Sequence, residues 1–204
     1  MIEVEKRFVS PTPEQQASLT RGAEFVKTKE ITDTYYDSAT FSLAHTDRWL
    51  RQRNDRFELK VPIDGGGKTA VVQTYRELET DAEIYQALAL NEDADLATDL
   101  AKAGFKAFMT ARTVRNSYKN HGFNIDIDKT TYENADFTYS GVDIEVMVEE
   151  QADIPAASAR ILEFASSHGL AIDGAPLGKI GNYIKNALPD DYKKLVAAGI
   201  LPQA

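Results

Sequence analysis

Charged residues spaced two apart along alternating stretches are the part of this sequence most able to do chemistry. Glu3, Glu5 and Arg7 stand at that spacing, as do Arg51 and Arg53, Glu58 and Lys60, Asp126 and Asp128, and Asp143 and Glu145; Tyr75 leads Glu77 and Glu79 in the same way. In an extended chain such residues share a face. Grouped carboxylates suit a hard divalent cation, and arginine forks suit phosphate oxygens. On any single strand, the solvent face of an ordinary antiparallel sheet accounts for these residues. Across several strands, however, arginine stands with arginine and acid with acid, and directly opposed like charges destabilise a sheet. Such segregation calls for a ligand. A barrel or tunnel with a charged lining, one wall acidic and one basic, would take a polyanion carrying a divalent cation.

The elements that must position these residues are mostly strands. Period-two alternation predicts eight of them, at 2–9, 24–36, 48–53, 56–61, 71–78, 105–119, 123–132 and 142–149. Their opposite faces are apolar, with Ile2 and Val4, Leu50, Leu59 and Val61, Ile125 and Ile127, and Val142, Ile144 and Val146. Helix signals lie between and after the strands: Thr12 as N-cap before Pro13, Thr80 before DAEIYQALAL, then 93–103 ending at Gly104, 155–168 ending at Gly169, and 176–188. Short connections make the sheet mainly antiparallel. The expected class is α+β, an eight-stranded antiparallel barrel whose outer face is covered by five helices. The segment Asp64-Gly65-Gly66-Gly67-Lys68 reads as a hairpin loop. A phosphate-binding loop is excluded there because its first glycine would fall on Pro62 and no helix follows.

Composition narrows the chemistry further. The chain has 204 residues, 43% of them hydrophobic, enough for one continuous core over 1–204. With 23 Lys and Arg against 32 Asp and Glu, a formal charge of -9 argues against extended binding to a nucleic-acid backbone. The absence of cysteine excludes disulfides, thiolate metal sites and cysteine nucleophiles. His45, His121 and His168 are dispersed, which leaves little for a histidine metal site or a Ser-His-Asp arrangement. No long apolar run and no signal-peptide pattern is present, so a cytoplasmic protein with no membrane partner is expected.

Glu3-Val4-Glu5-Lys6-Arg7-Phe8 resembles the ExExK signature of the CYTH, or triphosphate-tunnel metalloenzyme, family. Within it, the chain is most similar to the animal thiamine-triphosphatases. DTYYD at 33–37, WLRQR at 49–53, ELKVP at 58–62, YxE at 75–77, TARTVRNSY at 110–118, IDID at 125–128, VDIEVMV at 142–148 and LPDDYKKL at 188–195 follow in order. The resemblance implies a tunnel that hydrolyses a small-molecule triphosphate with Mg2+. It assigns Glu3, Glu5, Glu77, Asp126, Asp143 and Glu145 to the metal, and Arg7, Arg51, Arg53, Lys60, Arg112 and Lys179 to the phosphates. Trp49 would be an aromatic platform for a cationic thiazolium, and Tyr35 would lie near Lys60, the pair ordering the attacking water. A lysine among arginines should have a lowered pKa, as a base requires.

Two departures stand out. The third signature position is arginine, because alternation turns Arg7 inward and Lys6 outward, and Asp143 stands where glutamate is usual. The implied activity is thiamine-triphosphatase, with hydrolysis of inorganic or other triphosphates as the alternative within the fold. From another class, the rival is a tunnel that binds polyphosphate or nucleotides without turnover. The expected state is a monomer.

Overall fold

The computed structural model describes residues 1–63 and 70–203. The glycine-rich loop expected at 64–68 lies outside the described residues. Strands β1 (Ile2–Val9), β2 (Glu24–Asp37), β3 (Trp49–Arg53), β4 (Arg56–Pro62), β5 (Gln73–Leu78), β6 (Lys106–Asn120), β7 (Phe123–Tyr132) and β8 (Ala135–Val148) form a closed barrel in the order β1-β5-β4-β3-β2-β6-β7-β8. Every neighbouring pair is antiparallel. Closure leaves no sheet edge, and it sends alternate side chains into the barrel interior.

Among the described residues, six α-helices accompany the barrel: α1 (Pro13–Thr20), α2 (Asp81–Leu88), α3 (Leu96–Lys102), α4 (Ile154–Ser167), α5 (Lys179–Ala187) and α6 (Pro189–Ala197). Thr12 with Gln15, and Thr80 with Glu83, form capping boxes that satisfy the first backbone N–H groups of α1 and α2. The sequence reading expected one helix over 176–188 and none beyond. Instead α5 starts at Lys179 and a separate α6 follows, because Pro189 cannot extend the first helix and suits the opening position of a second. β8 starts seven residues before the expected 142, where polar Thr138 and Ser140 and the lack of a side chain at Gly141 weaken the alternation signal. None of the described helices is long and apolar enough to cross a membrane.

The outer faces are packed as two layers. Ile2, Val4 and Phe8 of β1, Ile125 and Ile127 of β7, and Val142 and Ile144 of β8 pack with Leu19 of α1 and with Ala157, Ile161 and Phe164 of α4. Leu50, Phe57 and Leu59 of β3 and β4 pack with Ile84 of α2 and with Leu96 and Leu100 of α3. Each fully buried aliphatic side chain contributes about 1.5–3 kcal/mol. These layers fix strand parity, since a one-residue slip would turn every apolar side chain inward. A third cluster mixes inward-facing Tyr35, Trp49, Tyr75, Met109, Tyr132 and Tyr139 with Ile180, Tyr183 and Ile184 of α5 and Leu195 of α6. Helix α5 therefore packs against the barrel's inner residues, whereas α1 to α4 cover its outside.

Candidate active site in the barrel tunnel

The parity set by the outer layers turns the charged residues inward, around a cavity of about 240 Å³. Among the described residues, six cations line it, Arg7, Arg51, Arg53, Lys60, Arg115 and Lys179, together with six carboxylates, Glu3, Glu5, Glu77, Asp128, Asp143 and Glu145. Tyr35, Trp49, Tyr75, Tyr139, Gly141 and Ile180 complete the lining. Lys6 turns the other way, as alternation requires. It is 1% exposed on the outer face, with its ammonium donating to the Gly174 carbonyl at 2.5 Å and lying 5.7 Å from the Phe8 ring centroid.

The expected division into an acidic and a basic wall is not what the fold builds. Register places opposite charges across the ladders: Arg7 beside Asp143, Arg51 beside Glu58, Lys60 beside Glu77 and Arg115 beside Asp128. Arg7 Nε and Nη2 donate to both Asp143 oxygens at 2.6 and 2.8 Å, and Arg115 grips Asp128 at 2.7 and 2.7 Å. Arg51 Nε donates to Glu58 at 2.7 Å and its Nη2 to Glu77 at 3.3 Å. Such pairing offsets the desolvation that buried charges incur. Like charges two apart along a strand are thus answered by the neighbouring strand, whose register the sequence does not reveal.

Asp33 organises one side of the tunnel. Fully buried, it accepts from Arg53 Nε and Nη2 at 2.6 and 2.8 Å and from Lys179 Nζ at 2.8 Å. Burial alone would raise its pKa, but the hydrogen bonds from Arg53 and the charges of Lys179 and Arg51 hold it far below the usual carboxylate range. Asp47 does the same for aromatic groups. Held at a left-handed φ of 53°, it accepts the Trp49 indole N–H at 2.8 Å and the Tyr75 hydroxyl at 3.1 Å.

One carboxylate group is only partly paired, through Glu3 with Lys60 and Glu5 with Arg7 at 3.5 Å. Ligand oxygens of Glu3, Glu5 and Glu145 lie within 4.8 Å of one another. Burial, and then the charges of Glu3, Asp126, Glu5 and Asp143, push Glu145 up to about 9. Glu3 is raised mainly by burial, against the opposing charge of Lys60, with which it forms an ion pair. Three crowded carboxylates, one of them forced to keep its proton, are a donor set that fits a hard divalent cation.

Of the six carboxylates expected at a metal, these three come together. Glu77 pairs instead with Arg51 and Lys60, Asp143 with Arg7, and Asp126 with Arg115 and the Ser117 hydroxyl at 2.6 Å. Among the expected phosphate groups, Arg112 is misplaced. Its side chain is 65% exposed and bonds Glu133 at 2.7 Å, on the outside of β6. Buried Met109, Ala111 and Thr113 fix the inward parity of that strand, and this parity selects Arg115. Both members of the expected Tyr35–Lys60 pair line the tunnel. Strand β3 separates the two residues; Lys179 lies over the Tyr35 ring at 5.9 Å and Lys60 over the Tyr75 ring at 5.5 Å. Burial would depress Lys60, yet Glu3, Glu5 and Glu77 outweigh it and raise its pKa, the reverse of the expected shift. Sequence reasoning missed Asp33, Asp47, Arg115 and Tyr139, although Asp33 and Arg115 lie inside the DTYYD and TARTVRNSY segments, and it singled out Asp128 by its spacing without giving it a role.

A family model described as the CYTH domain matches residues 1–172. The chain belongs to the CYTH family. Among curated proteins it is 28% identical over 207 residues to the thiamine-triphosphatase of Homo sapiens, covering 96% of this chain and 90% of that one, and equally to the thiamine-triphosphatase of Macaca fascicularis. Among solved structures, the PH1819 protein of Pyrococcus horikoshii OT3 superimposes with a TM-score of 0.58 at 22% identity, over 92% of this chain and 99% of that one. The Hippeastrum protein HpAC1, described as an adenylyl cyclase candidate with a dominant triphosphatase activity, gives 0.55 at 19% identity, over 91% and 96%. These two likenesses are of the CYTH fold. The CYTH match ends before α5, so Lys179 reaches the tunnel from beyond the matched residues.

Proposed function

We propose that this CYTH protein is a triphosphate hydrolase, and that its substrate is thiamine triphosphate, cleaved to thiamine diphosphate and phosphate. The observation that carries the reading is the convergence of Arg7, Arg51, Arg53, Lys60, Arg115 and Lys179 from four strands and one helix on a single cavity. Arginine forks and ammonium groups at that density match a chain of phosphates. The curated relatives named thiamine-triphosphatase, aligned over most of both chains, and the place of Trp49 in the lining supply the choice of substrate.

In this reading the residues work by position. Arg51, Arg53, Arg115 and Lys179 stabilise the charge on the terminal phosphoryl oxygens, and Arg7 and Lys60 hold the rest of the chain. A water attacks the terminal phosphorus, the anhydride bond to the next phosphate breaks, and the water's proton ends on the product phosphate. The loose transition state asks for an ordered water more than a strong base, so a Lys60 of raised pKa serves as a donor. Tyr35 acts beside Lys179, whose ammonium it faces. Glu3, Glu5 and Glu145 would hold Mg2+, which when bound supplies positive charge toward phosphate oxygens. The whole chain, 1–204, acts as one domain, and as a cytoplasmic monomer on a small-molecule substrate.

A second reading takes inorganic triphosphate as the substrate. It is favoured by the burial of Trp49, which is 4% exposed and packed with its N–H already engaged. Phosphate release from thiamine triphosphate, inorganic triphosphate and ATP, each with magnesium and with a chelator, tests both. The first reading expects the highest kcat/KM for thiamine triphosphate; a preference for inorganic triphosphate selects the second.

A further inference from the structure

The roles proposed above leave one buried hydroxyl in the tunnel unused. Tyr139 faces inward from β8, is 6% exposed, and its Oη has no hydrogen-bond partner among the described residues. A buried hydroxyl without a partner is a net cost to the fold, and a phenylalanine would fill the same space without it. The carboxylates nearest in charge, Asp143 and Asp128, are both gripped by arginines, Asp143 by Arg7 and Asp128 by Arg115. The hydroxyl is therefore left over beside two carboxylates already paired.

Gly141 shows that the ring's position is built. The Tyr139 side chain leans forward along its own strand, so a Cβ on Gly141 would stand 2.5 Å from Oη and 2.9 Å from Cε1 and Cζ. Gly141 sits within β8, in register with Asp128 of β7. The absence of a side chain there is what lets the phenol lie in the tunnel.

We infer that Tyr139 is a substrate-contacting residue, its Oη donating a hydrogen bond to a non-bridging phosphate oxygen of a triphosphate held between Arg7 and Arg115. The inference rests on the triphosphate reading of this same tunnel and adds to it a neutral donor. A neutral donor orients the chain without drawing an oxygen away from the cations around it.

The test measures two quantities on the full chain. Binding is followed by calorimetry with magnesium and a methylene-bridged analogue of inorganic triphosphate, which keeps the terminal oxygens and is not hydrolysed. Stability of the free protein is followed by urea unfolding. Tyr139→Phe should weaken binding about tenfold or more, the range for a hydrogen bond to a charged acceptor, while leaving the free protein as stable as wild type or more so. Gly141→Ala should weaken binding in the same way by displacing the ring. If Tyr139→Phe binds as tightly as wild type while Arg53→Ala binds more weakly, the tunnel takes triphosphate but Tyr139 does not touch it. A Tyr139→Phe protein of reduced stability overturns the inference too, since it assigns the hydroxyl to the fold. If wild type itself does not bind the analogue, the triphosphate reading falls and this inference falls with it.

Discussion

Asp33 and Lys179, 146 residues apart in sequence, meet at 2.8 Å inside the barrel. The contact ties α5 to β2, and the same carboxylate fixes Arg53 on β3. Two elements that supply tunnel cations, β3 and α5, thus share one buried anion on β2. Removing it takes the ion-pair partner from Lys179 and leaves Arg53 with a looser contact to Glu58 at 3.8 Å, in a low-dielectric interior.

Asp33→Ala should lower unfolding stability by about 3 kcal/mol, the cost of breaking a buried ion pair on one side, as read from urea denaturation. Because the folded pKa of Asp33 is depressed, its contribution is present above the ordinary carboxylate range and is lost as pH falls through the folded value. Asp33→Asn should therefore lack part of the acid unfolding seen in wild type. Equal acid sensitivity in the two proteins would remove Asp33 from this role.

Glu145 works in the opposite sense. Its pKa, raised to about 9, means that the folded protein holds this proton more tightly than the unfolded chain does. Its stabilising contribution is full below about pH 4 and is lost as pH rises towards 9. In chelator, wild-type Tm should fall more steeply between about pH 5 and 9 than that of Glu145→Gln, which has no proton to lose. Parallel profiles would contradict the crowded-carboxylate account.

Parity on β6 makes a third expectation. Arg115→Ala should reduce kcat/KM for the preferred triphosphate by about 100- to 1,000-fold, the range for losing one charge-stabilising donor, whereas Arg112→Ala should leave it within about twofold. Steady-state kinetics on the two variants decides this. Equal losses would mean that Arg112 reaches the substrate.

The barrel was legible because its signal is local. Alternation in β1, β3, β4 and β7 gave both the strands and the faces of Glu3, Glu5, Arg7, Arg51 and Lys60. Pairing was not legible, because register is a long-range property: nothing near Arg51 in sequence says that Glu58 and Glu77 neutralise it. The error at Arg112 has the same origin. Two arginines three apart on one strand face opposite ways, and only the burial of Met109 and Ala111 tells which points inward. Lys60 was misjudged because its pKa depends on carboxylates from β1 and β5.

Trp49 separates the two substrate readings. Trp49→Leu keeps an apolar filler but removes the indole. It should lower kcat/KM for thiamine triphosphate about five- to tenfold, near the 1 kcal/mol of a partly desolvated cation–π contact, while leaving inorganic triphosphate within about twofold. Equal falls for both would make Trp49 a packing residue held by Asp47.

The central claim is hydrolysis of the terminal anhydride inside the tunnel, and 31P NMR of thiamine triphosphate incubated with the full chain and magnesium reads it directly. The account predicts that the three triphosphate resonances give way to those of a diphosphate ester and free phosphate, that the change stops when chelator is added, and that Arg53→Ala slows it by about 30-fold or more. A spectrum in which the triphosphate resonances shift on binding but persist would contradict the account and make the tunnel a binding module.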